Sequence, residues 1–316
     1  MGNENSPEVL FSTLSSLPLD GDVELVIIAP PALRETLGIA SHKQISFHEA
    51  PDVVFMTDSP TSAVKTKKNA SMFVGLHLLK QGKLDAFISA GNTGALVLGS
   101  KLILSSLPKI KRPALLASFP TKKKPITVLD LGVNVDCKAT HLIQFALLAS
   151  AYCRASLGIE KPRIGLLNIG EEPLKGTSEL RLAYQQLQDF PSPPFQFVGN
   201  IEGRSIFDGD ADAIITDGFT GNTFLKTAEG IASLVLDRIQ ANWPPQMIQL
   251  AKTQIEDLQT YLHYAEYRGA LLIGVEGIVI KCHGYSTPLA ITKAVQGAID
   301  LAKKNFMETL KTHLFL

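Results

Sequence analysis

Short apolar runs alternate with helix-like segments along the whole chain, and this alternation restricts the fold more than any other feature. The runs are continuous in hydrophobicity, which is typical of strands that are covered on both faces of a sheet. Helices between successive strands favour a doubly wound, largely parallel sheet in an α/β/α layering. The predicted strands are residues 23–29, 53–56, 84–90, 114–119, 126–131, 164–169, 195–198, 211–216 and 277–282.

Helical segments fill the intervals between these runs, so residues 1–316 are predicted to form a single α/β domain. No repeat or long linker divides the chain. The predicted helices are residues 7–17, 63–81, 93–105, 139–157, 178–189, 222–241 and 287–310.

Residues 244–264 break the alternation, because they have helical spacing but no attached strand. Two interpretations are open: a helix packed on the core, or a projecting helix that pairs with a second subunit or meets a membrane surface. The position between two well-formed α/β units favours a projecting excursion over residues 243–268. Its apolar stripe consists of Met247, Ala251, Ile255, Leu258 and Leu262.

Composition and charge exclude several classes of protein. The chain has 316 residues with 30 basic and 30 acidic side chains, whereas a general nucleic-acid binder would be basic overall. The longest apolar run, residues 270–280, is shorter than the ~18 residues of a membrane span. The N-terminus lacks the pattern of a signal peptide. Cys137, Cys153 and Cys282 have no metal-ligand spacing and indicate reduced thiols in the cytoplasm.

The phrase Gly-Asn-Thr occurs twice, each time after a predicted strand. It lies in SAGNTGA, residues 89–95, and in DGFTGNTFLK, residues 217–226. A helix-like run follows each time, which places Gly-Asn-Thr where a strand turns into a helix. Glycine lets the backbone approach a ligand there, and the first N–H groups and the dipole of the helix attract an anion. The doubled phrase predicts an anion site, with phosphate as the expected anion.

Three further loops with unusual polar residues follow predicted strands, and a parallel sheet would bring all five loops to one edge. They are DLGVNVDCK at 130–138, LNIGEEPLKG at 167–176 and IKCHGYS at 280–286. Amides, hydroxyls and a flexible lysine can hold phosphate or a developing oxyanion. No Gly-rich nucleotide motif occurs, so no nucleotide cofactor is expected. The candidate ligands are Asn92, Asn134, Asn168, Asn222, Thr93, Thr220, Thr223 and Lys175.

No side chain stands out as a nucleophile. Ser89 does not lie in a G-x-S-x-G elbow, and a hydroxyl that satisfies its own turn is an equal interpretation. His283 is either an acid or base, or a partner in a structural hydrogen bond. Asp130, Asp136 and Asp217 would suit a divalent cation if they converged. Hydrogen-bond roles that position the loops are preferred for them, and no metal is expected.

Three basic clusters lie outside these loops. Such runs are usually solvated surface, and in a neutral protein they also suit docking of an acidic partner. The clusters are Lys65 with Lys67 and Lys68, Lys109 with Lys111 and Arg112, and Lys122 with Lys123 and Lys124.

Seven phrases in a fixed order resemble the PlsX family of phosphate acyltransferases of bacterial phospholipid synthesis. The resemblance extends from Met1 to about Ala302 and is specific because the phrases occur together. They are SAGNTGALVLG, RPALLASFPT, VLDLGVNVDCK, GLLNIGEEPLKG, FVGNIEGRSIFDG, DADAIITDGFTGNTFLKTAEG and VIKCHG.

The resemblance implies a fold, an activity and partners. The fold would resemble that of isocitrate and isopropylmalate dehydrogenases and of phosphate acetyltransferases. Family members transfer a long acyl chain from acyl carrier protein to inorganic phosphate, and the acyl phosphate passes to a membrane glycerol-3-phosphate acyltransferase. They are cytoplasmic homodimers, often loosely attached to the membrane. Acyl carrier protein is acidic, which makes it a candidate partner for the basic clusters.

Phosphate is itself the nucleophile in such a reaction, so the work of the enzyme is orientation and oxyanion stabilisation. The expected phosphate and oxyanion ligands are Ser89, Asn92, Thr93, Thr220 and Asn222, with Lys175. The expected catalytic set is Lys175, Asn134, Asp217 and His283, of which the last three orient groups or pass a proton to the leaving thiol.

Three alternatives remain open at this stage. One is a short-chain phosphate acyltransferase that uses coenzyme A thioesters, and another is a catalytically impaired scaffold for lipid-synthesis enzymes. A dehydrogenase on the same fold is less supported, since the sequence has no dinucleotide fingerprint.

The sequence departs from the family pattern in three places. The family usually begins with a short strand that leads into Asp-x-Met-Gly-Gly-Asp, whereas the printed sequence begins at that methionine, with Asn3 and Glu4 where glycine and aspartate are usual. Either the printed start is late or the protein has lost this strand, and a lost strand would change the N-terminal wall of the site. Tyr-Arg-Gly-Ala-Leu at 267–271 replaces Tyr-Gly-Gly-Ala-Pro, and Tyr285 replaces a small residue.

Overall fold

The computed structural model describes residues 6–38, 42–262, 269–284 and 286–315. The opening motif, the end of the predicted excursion at 263–268 and Tyr285 lie outside these residues. The described chain contains ten strands and twelve α-helices, and it divides into two compact units. The first unit comprises described residues up to 113 and from 269 to 311, and the second comprises 114–262 and 312–315.

The first unit contains two groups of strands. Strands β1 (Leu25–Ala29) and β2 (Ile45–Glu49) form a parallel pair. Strand β3 (Ala86–Ser89) is parallel to β10 (Ile278–Lys281), which is antiparallel to β9 (Ala270–Ile273). The helices of this unit are α1 (Pro7–Ser15), α2 (Leu33–Thr36), α3 (Pro60–Thr66), α4 (Ser71–Lys80), α5 (Thr93–Ile103), α11 (Pro288–Lys303) and the start of α12 (Phe306–Phe315).

The second unit is built on five strands in the order β4-β5-β8-β6-β7. All neighbouring pairs are parallel except β4 and β5, which are antiparallel. The strands are β4 (Ala114–Phe119), β5 (Ile126–Leu129), β6 (Arg163–Asn168), β7 (Gln196–Glu202) and β8 (Ala213–Ile215). The helices are α6 (Ala139–Leu157), α7 (Ser178–Gln188), α8 (Gly218–Asn242), α9 (Pro245–Leu250) and α10 (Lys252–Leu262).

Local sequence explains where several helices begin and end. The side chains of Ser6, Thr177 and Thr287 accept hydrogen bonds from the first turns of α1, α7 and α11, as favourable N-cap residues do. Proline follows the cap in α1 and α11, where its missing N–H costs nothing. Helix α6 ends at Gly158, which adopts the left-handed conformation with φ of 67°.

The predicted mixture of helices and largely parallel strands is confirmed in its main lines. Eight predicted strands correspond to observed ones, but the prediction of a strand at 53–56 is wrong. Those residues form a loop, because the side chains of Asp58 and Asn92 form hydrogen bonds with the backbone groups that a strand would pair. Phe55 N–H donates to Asp58 Oδ2 at 2.7 Å, and Asn92 Nδ2 donates to Met56 O at 3.1 Å. Strands β2 and β9 had not been predicted, and the predicted helices at 63–81 and 287–310 are each two helices.

The excursion after α8 consists of the short helix α9 and the helix α10. Helix α10 packs against α8, and Tyr261 Oη donates to Thr121 O at 2.7 Å. The stripe residues Ala251, Ile255 and Leu258 are half-buried, whereas Met247 is 50% exposed. Among the described helices, none is long and apolar enough to cross a membrane. A single domain over 1–316 and a dimer or membrane contact of the excursion stay predictions.

Candidate functional site

Three of the predicted loops lie at one edge of the sheet in the second unit. Strands β5, β8 and β6 are parallel neighbours, so their carboxyl ends share an edge, which is where parallel α/β sheets bind ligands. Residues 130–138, 216–222 and 169–177 follow these strands. In the first unit, β3 and β10 are also parallel neighbours, and residues 90–92 and 282–284 follow them.

Asp130 organises the loop after β5. Its side chain is fully buried; Oδ1 accepts from the Leu115 and Val133 N–H groups at 2.9 and 3.2 Å, and Oδ2 accepts from Asn134 N and Nδ2 at 2.6 and 2.8 Å. Burial raises the pKa of Asp130, and these four donors act against the rise. The carboxyl group therefore shapes the loop and holds Asn134, in line with a positioning role.

Glycines bring this loop and helix α8 into direct backbone contact. Gly218 N–H donates to Asn134 O at 2.7 Å. A Cβ added to Gly221 would lie 1.9 Å from Asp130 O, which is far inside van der Waals distance. Only glycine fits at Gly221, and its presence sets how closely the first turn of α8 approaches the Asp130 loop.

Helix α8 begins one turn before the Gly-Asn-Thr phrase. Asp217 is its N-cap, and its carboxylate accepts from Thr220 N at 2.8 Å and from Thr220 Oγ1 at 3.0 Å. The phrase at 221–223 therefore lies within the first turns of α8, not where the strand turns into the helix, which corrects the prediction for this copy. An N–H group expected to attract the anion is already bonded to a carboxylate of the same chain.

The Asn222 side chain is exposed. It lies beside Gly132, where an added Cβ would be 3.4 Å from Asn222 Oδ1. Within the described part of the chain its amide has no hydrogen-bond partner, so it can bind a ligand. Thr220 is also exposed, and Asp217 orients its hydroxyl group.

Two buried asparagines hold the loop that carries Lys175. Asn168 Nδ2 donates to Lys175 O at 3.1 Å, and Asn200 Nδ2 donates to Glu172 O at 2.9 Å. Each asparagine is only 7% exposed. The Lys175 side chain itself is exposed, and no acidic group among the described residues forms an ion pair with it. Lys175 is therefore an exposed cation on a loop that hydrogen bonds hold in place.

In the first unit the amide of Asn92 is already engaged. Asn92 is the N-cap of α5 and is 8% exposed. Its Oδ1 accepts from Ala95 N at 3.0 Å, and its Nδ2 donates to Met56 O and Asp58 O at 3.1 and 3.0 Å. The side chain thus joins the start of α5 to the loop at 55–58, and its hydrogen bonds are all to the backbone of its own unit.

The other predicted residues of the first unit lie at the ends of β3 and β10. Ser89 is the last residue of β3, and its Oγ accepts from Gly91 N at 3.2 Å. Thr93 is the first residue of α5 and is half-buried. His283 is exposed, and its carbonyl accepts from Ser286 N at 3.0 Å. Lys281 was not predicted as a site residue. It is a buried cation whose ammonium donates to Cys282 O, and a lysine at the end of the apolar run Ile-Val-Ile was the available signal.

One basic cluster is neutralised within the second unit. Lys122 and Lys124 pair with Asp208 and Asp212, each at 2.7 Å, and Lys123 pairs with Asp210. Burial acts to raise the pKa of Asp212, but the Arg163 N–H groups and the Lys124 ammonium hold that pKa below its usual value. This cluster is a set of local ion pairs rather than an open basic surface.

Two of the three aspartates considered as cation ligands have the hydrogen-bond roles that the sequence analysis preferred for them. The Asp130 carboxylate is occupied by N–H donors and that of Asp217 by Thr220. Over the described ranges, no group of three or more His, Cys, Asp or Glu side chains is arranged to hold a metal ion.

Comparisons with known proteins identify the family. The family described as "Fatty acid synthesis protein" matches residues 1–309. A phosphate acyltransferase of Alkalilimnicola ehrlichii is 39% identical, over 96% of this chain and 91% of that protein. The phosphate acyltransferase of Halothermothrix orenii is 36% identical, over 99% and 96%.

Solved structures of low sequence identity share the fold. The EutD phosphotransacetylase from Staphylococcus aureus has a TM-score of 0.53 at 13% identity, over 93% of this chain and 98% of that chain. A branched-chain phosphotransacylase from Enterococcus faecalis has a TM-score of 0.54 at 12% identity, over 95% and 97%. With the near-complete match to the family and to curated relatives, the chain belongs to the phosphate acyltransferase family of fatty acid and phospholipid synthesis.

Proposed function

We propose that this protein transfers a long fatty acyl group from acyl carrier protein to inorganic phosphate and so forms an acyl phosphate. The observation that carries this is the edge of the second unit, where neighbouring strands β8 and β6 present Thr220, Asn222 and Lys175 with exposed polar groups. A dianionic substrate needs a cation and hydrogen-bond donors: Lys175 supplies the cation, the Asn222 amide has donors without a partner among the described residues, and the Thr220 hydroxyl group would be released from Asp217.

In the proposed mechanism a phosphate oxygen attacks the thioester carbonyl carbon. The tetrahedral oxyanion collapses, the C–S bond breaks, and the thiol of the carrier leaves with a proton. Lys175 holds the charge of the phosphate, and the Asn222 amide donates to phosphate or to the oxyanion. In this structure the Thr220 hydroxyl group donates to Asp217, so it becomes a donor to phosphate only when it turns away from that carboxylate. Asn134 keeps α8 against the Asp130 loop.

Three residues of the first unit keep the roles predicted for them from the sequence. Ser89 and Thr93 are proposed as hydroxyl ligands of phosphate or the oxyanion, and His283 as the proton donor to the leaving thiol. Asn92 contributes by positioning, since its hydrogen bonds hold the turn between β3 and α5.

The direct test is product formation. Purified protein is incubated with inorganic phosphate and either acyl carrier protein or coenzyme A thioesters of several chain lengths, and acyl phosphate is measured by mass spectrometry. We expect product from long-chain acyl carrier protein thioesters. Product only from short coenzyme A thioesters would identify the short-chain activity, and no product at high enzyme concentration would favour a scaffold.

Lys175→Ala tests the site itself, and β6 provides a matched control. We expect the variant to lose ~100-fold or more in acyl phosphate formation, as when a charge-stabilising group is removed. Lys161 is an exposed lysine just before β6, at the opposite end of the same strand. Lys161→Ala should keep full activity, and a Lys175→Ala protein that also keeps it would remove the lysine from the mechanism.

We propose that the protein is a cytoplasmic homodimer that passes acyl phosphate to a membrane glycerol-3-phosphate acyltransferase. We also propose that its fold is doubly wound and resembles that of isocitrate and isopropylmalate dehydrogenases. Exposed apolar residues on α8 and α9, among them Ile231, Leu234 and Leu250, support a partner or peripheral membrane contact at this edge. Leu250→Glu should lower either dimerisation or liposome binding. If the dimerisation constant and liposome binding both stayed unchanged, the proposed contact would be contradicted.

A further inference from the structure

Gly170, in the loop after β6, is buried although residues 171–175 of the same loop are exposed. Two charged side chains cover it. A Cβ added to Gly170 would lie 2.8 Å from Glu172 Oε2, and 3.0 and 3.3 Å from Lys175 Cγ and Cδ. The Glu172 carboxylate therefore lies beside the aliphatic part of Lys175, the residue whose ammonium group we assign to phosphate.

The backbone of Glu172, and not its carboxylate, holds this loop in place. Glu172 O accepts from Lys175 N at 3.1 Å and from Asn200 Nδ2 at 2.9 Å. Asn168 Nδ2 donates to Lys175 O at 3.1 Å. Because these hydrogen bonds fix the loop by themselves, a structural role in the loop does not account for the carboxylate.

Glu172 does not neutralise Lys175 either. Within the described part of the chain, neither side chain takes part in an ion pair, although the carboxylate and the lysine side chain lie over the same glycine. The ammonium group thus stays available to an anion, and the carboxylate keeps its lone pairs for a hydrogen-bond donor that the described residues do not supply.

A carboxylate beside an anion-binding cation discriminates between anions. It repels an anion that has lost all its protons, such as sulfate at neutral pH. Hydrogen phosphate retains a P–OH group at the same pH and can donate it to the carboxylate. Such an O–H···O⁻ hydrogen bond is charge-assisted, short and strong. A cation alone would attract both anions, whereas a cation with an adjacent carboxylate favours phosphate.

We infer that Glu172 is a ligand of the phosphate substrate: it accepts the hydrogen bond of the P–OH group and makes the site specific for hydrogen phosphate over sulfate. This inference rests on the proposed function, because it takes the anion bound at Lys175 to be that substrate. Gly170 is a positioning residue, since its lack of a side chain leaves room for the carboxylate next to the lysine.

The test measures anion binding without turnover. Inorganic phosphate and sulfate are titrated separately into the full chain by calorimetry, at neutral pH and constant ionic strength and without a thioester. Wild type should bind phosphate at least about 10-fold more tightly than sulfate, as expected for one hydrogen bond to a charged group. Glu172→Gln should lower this ratio about 10-fold, because sulfate is no longer repelled and the charged acceptor of the P–OH group is gone. A merely loosened loop would weaken the binding of both anions and leave the ratio unchanged.

Three further variants locate the effect. Glu171→Gln is the matched control, because Glu171 is an exposed acid of the same loop that is not among the atoms nearest to Gly170; it should keep the wild-type ratio. Gly170→Ala should lower the ratio as Glu172→Gln does, since its methyl group would displace the carboxylate. Lys175→Ala should weaken the binding of both anions at least about 10-fold.

Several results would overturn the inference. One is a ratio that Glu172→Gln leaves unchanged, and another is an equal fall in Glu171→Gln, which would mean that any lost negative charge has this effect. Phosphate binding that Lys175→Ala does not weaken would place the anion elsewhere and would also overturn it. Acyl transfer is measured separately, so the expected ratios in a protein that forms no acyl phosphate would support the role of Glu172 and contradict the proposed function.

Discussion

The two Gly-Asn-Thr phrases look alike in sequence but occupy different positions and use their asparagines differently. In the first unit Asn92 is the N-cap of α5, buried, with its amide bonded to three backbone carbonyls and one N–H group. In the second unit Asn222 lies in the first turns of α8, is exposed, and has no described partner. One copy builds a turn, and the other presents a ligand group.

A capping residue accounts for the difference. Asp217 lies four residues before Gly221 and starts α8 early, so the phrase moves into the helix. In SAGNTGA no such acid precedes the phrase, and Asn92 itself becomes the cap. A short motif therefore indicates chemistry only after the start of its helix is known.

Gly221→Ala should have the largest effect. The new methyl group would lie 1.9 Å from Asp130 O, and since both are held in rigid elements we expect a loss of about 4 kcal/mol in the free energy of unfolding. Urea unfolding followed by the fluorescence of Trp243, the only tryptophan, located at the end of α8, measures it.

Two other glycines serve as controls for this change. Gly230 lies in the same helix with no atom within 4 Å of an added Cβ, so Gly230→Ala should stabilise by ~1 kcal/mol through helix propensity. Gly94, in the first turn of α5, would meet the ring of Pro60 at 2.6 Å and Asn92 Oδ1 at 3.6 Å but no backbone atom at close range, so Gly94→Ala should cost less than Gly221→Ala. Equal costs would mean that the two turns are packed alike.

Asn222→Ala and Asn92→Ala should separate activity from stability. Asn222→Ala is expected to lower acyl phosphate formation about 100-fold, or ~2.7 kcal/mol, with little change in stability. Asn92→Ala should lower the free energy of unfolding by about 2 kcal/mol, because a cap is lost and buried carbonyls are left unpaired. The rate of acyl phosphate formation and urea unfolding are measured for both variants. Lost activity in Asn92→Ala together with lost stability in Asn222→Ala would refute the roles given to the two asparagines.

Asp212→Asn tests the end of the sheet in the second unit that lies away from the candidate site, where Asp212 directly precedes β8. Asp212 is 3% exposed and pairs with Lys124 and Arg163, so we expect a loss of about 2 kcal/mol at pH 7. Its pKa is lowered in the folded state. The stabilisation is therefore present above the unfolded pKa of about 3.9 and is lost as pH falls through the folded pKa.

The difference between wild type and Asp212→Asn should accordingly disappear on going from pH 7 to below about pH 4. Unfolding curves over this range measure it, and a constant difference would contradict the linkage. Asp210→Asn, which removes only the exposed partner of Lys123, should leave stability unchanged.

The cysteines should show the smallest effect. Burial raises the pKa of Cys153 and of Cys282 to about 12, so only about one thiol in 10⁴ is ionised at pH 8. Iodoacetamide should leave both unmodified by mass spectrometry and leave activity intact, although Cys282 precedes His283. The same reagent in urea should modify them, and rapid labelling of the folded protein would contradict the burial.

Strands with both faces buried could be predicted from sequence, because burial imposes a continuous apolar run such as residues 114–117. Strand β2 has exposed residues and, among the described strands, pairs only with β1, so it lacked that signal. Strand β9 was hidden in the apolar stretch 270–280, where the chain reverses before β10. The loop at 53–56 has a strand-like composition, but distant hydrogen bonds from Asn92 hold it in another conformation.

The sequence by itself determined the family, the alternation of strands and helices, and the polar residue types available after each strand. Burial and local capping act through neighbours in the chain, so they leave a pattern that can be read there. Only the tertiary structure decided which of those polar groups remain open to a ligand. The Asn92 amide donates to the carbonyl of Asp58, 34 residues away, whereas the Asn222 amide and the Lys175 ammonium have no partner among the described residues. Strand pairing is of the same kind, because β3 pairs with β10, which lies far along the chain, and no local pattern records that pairing.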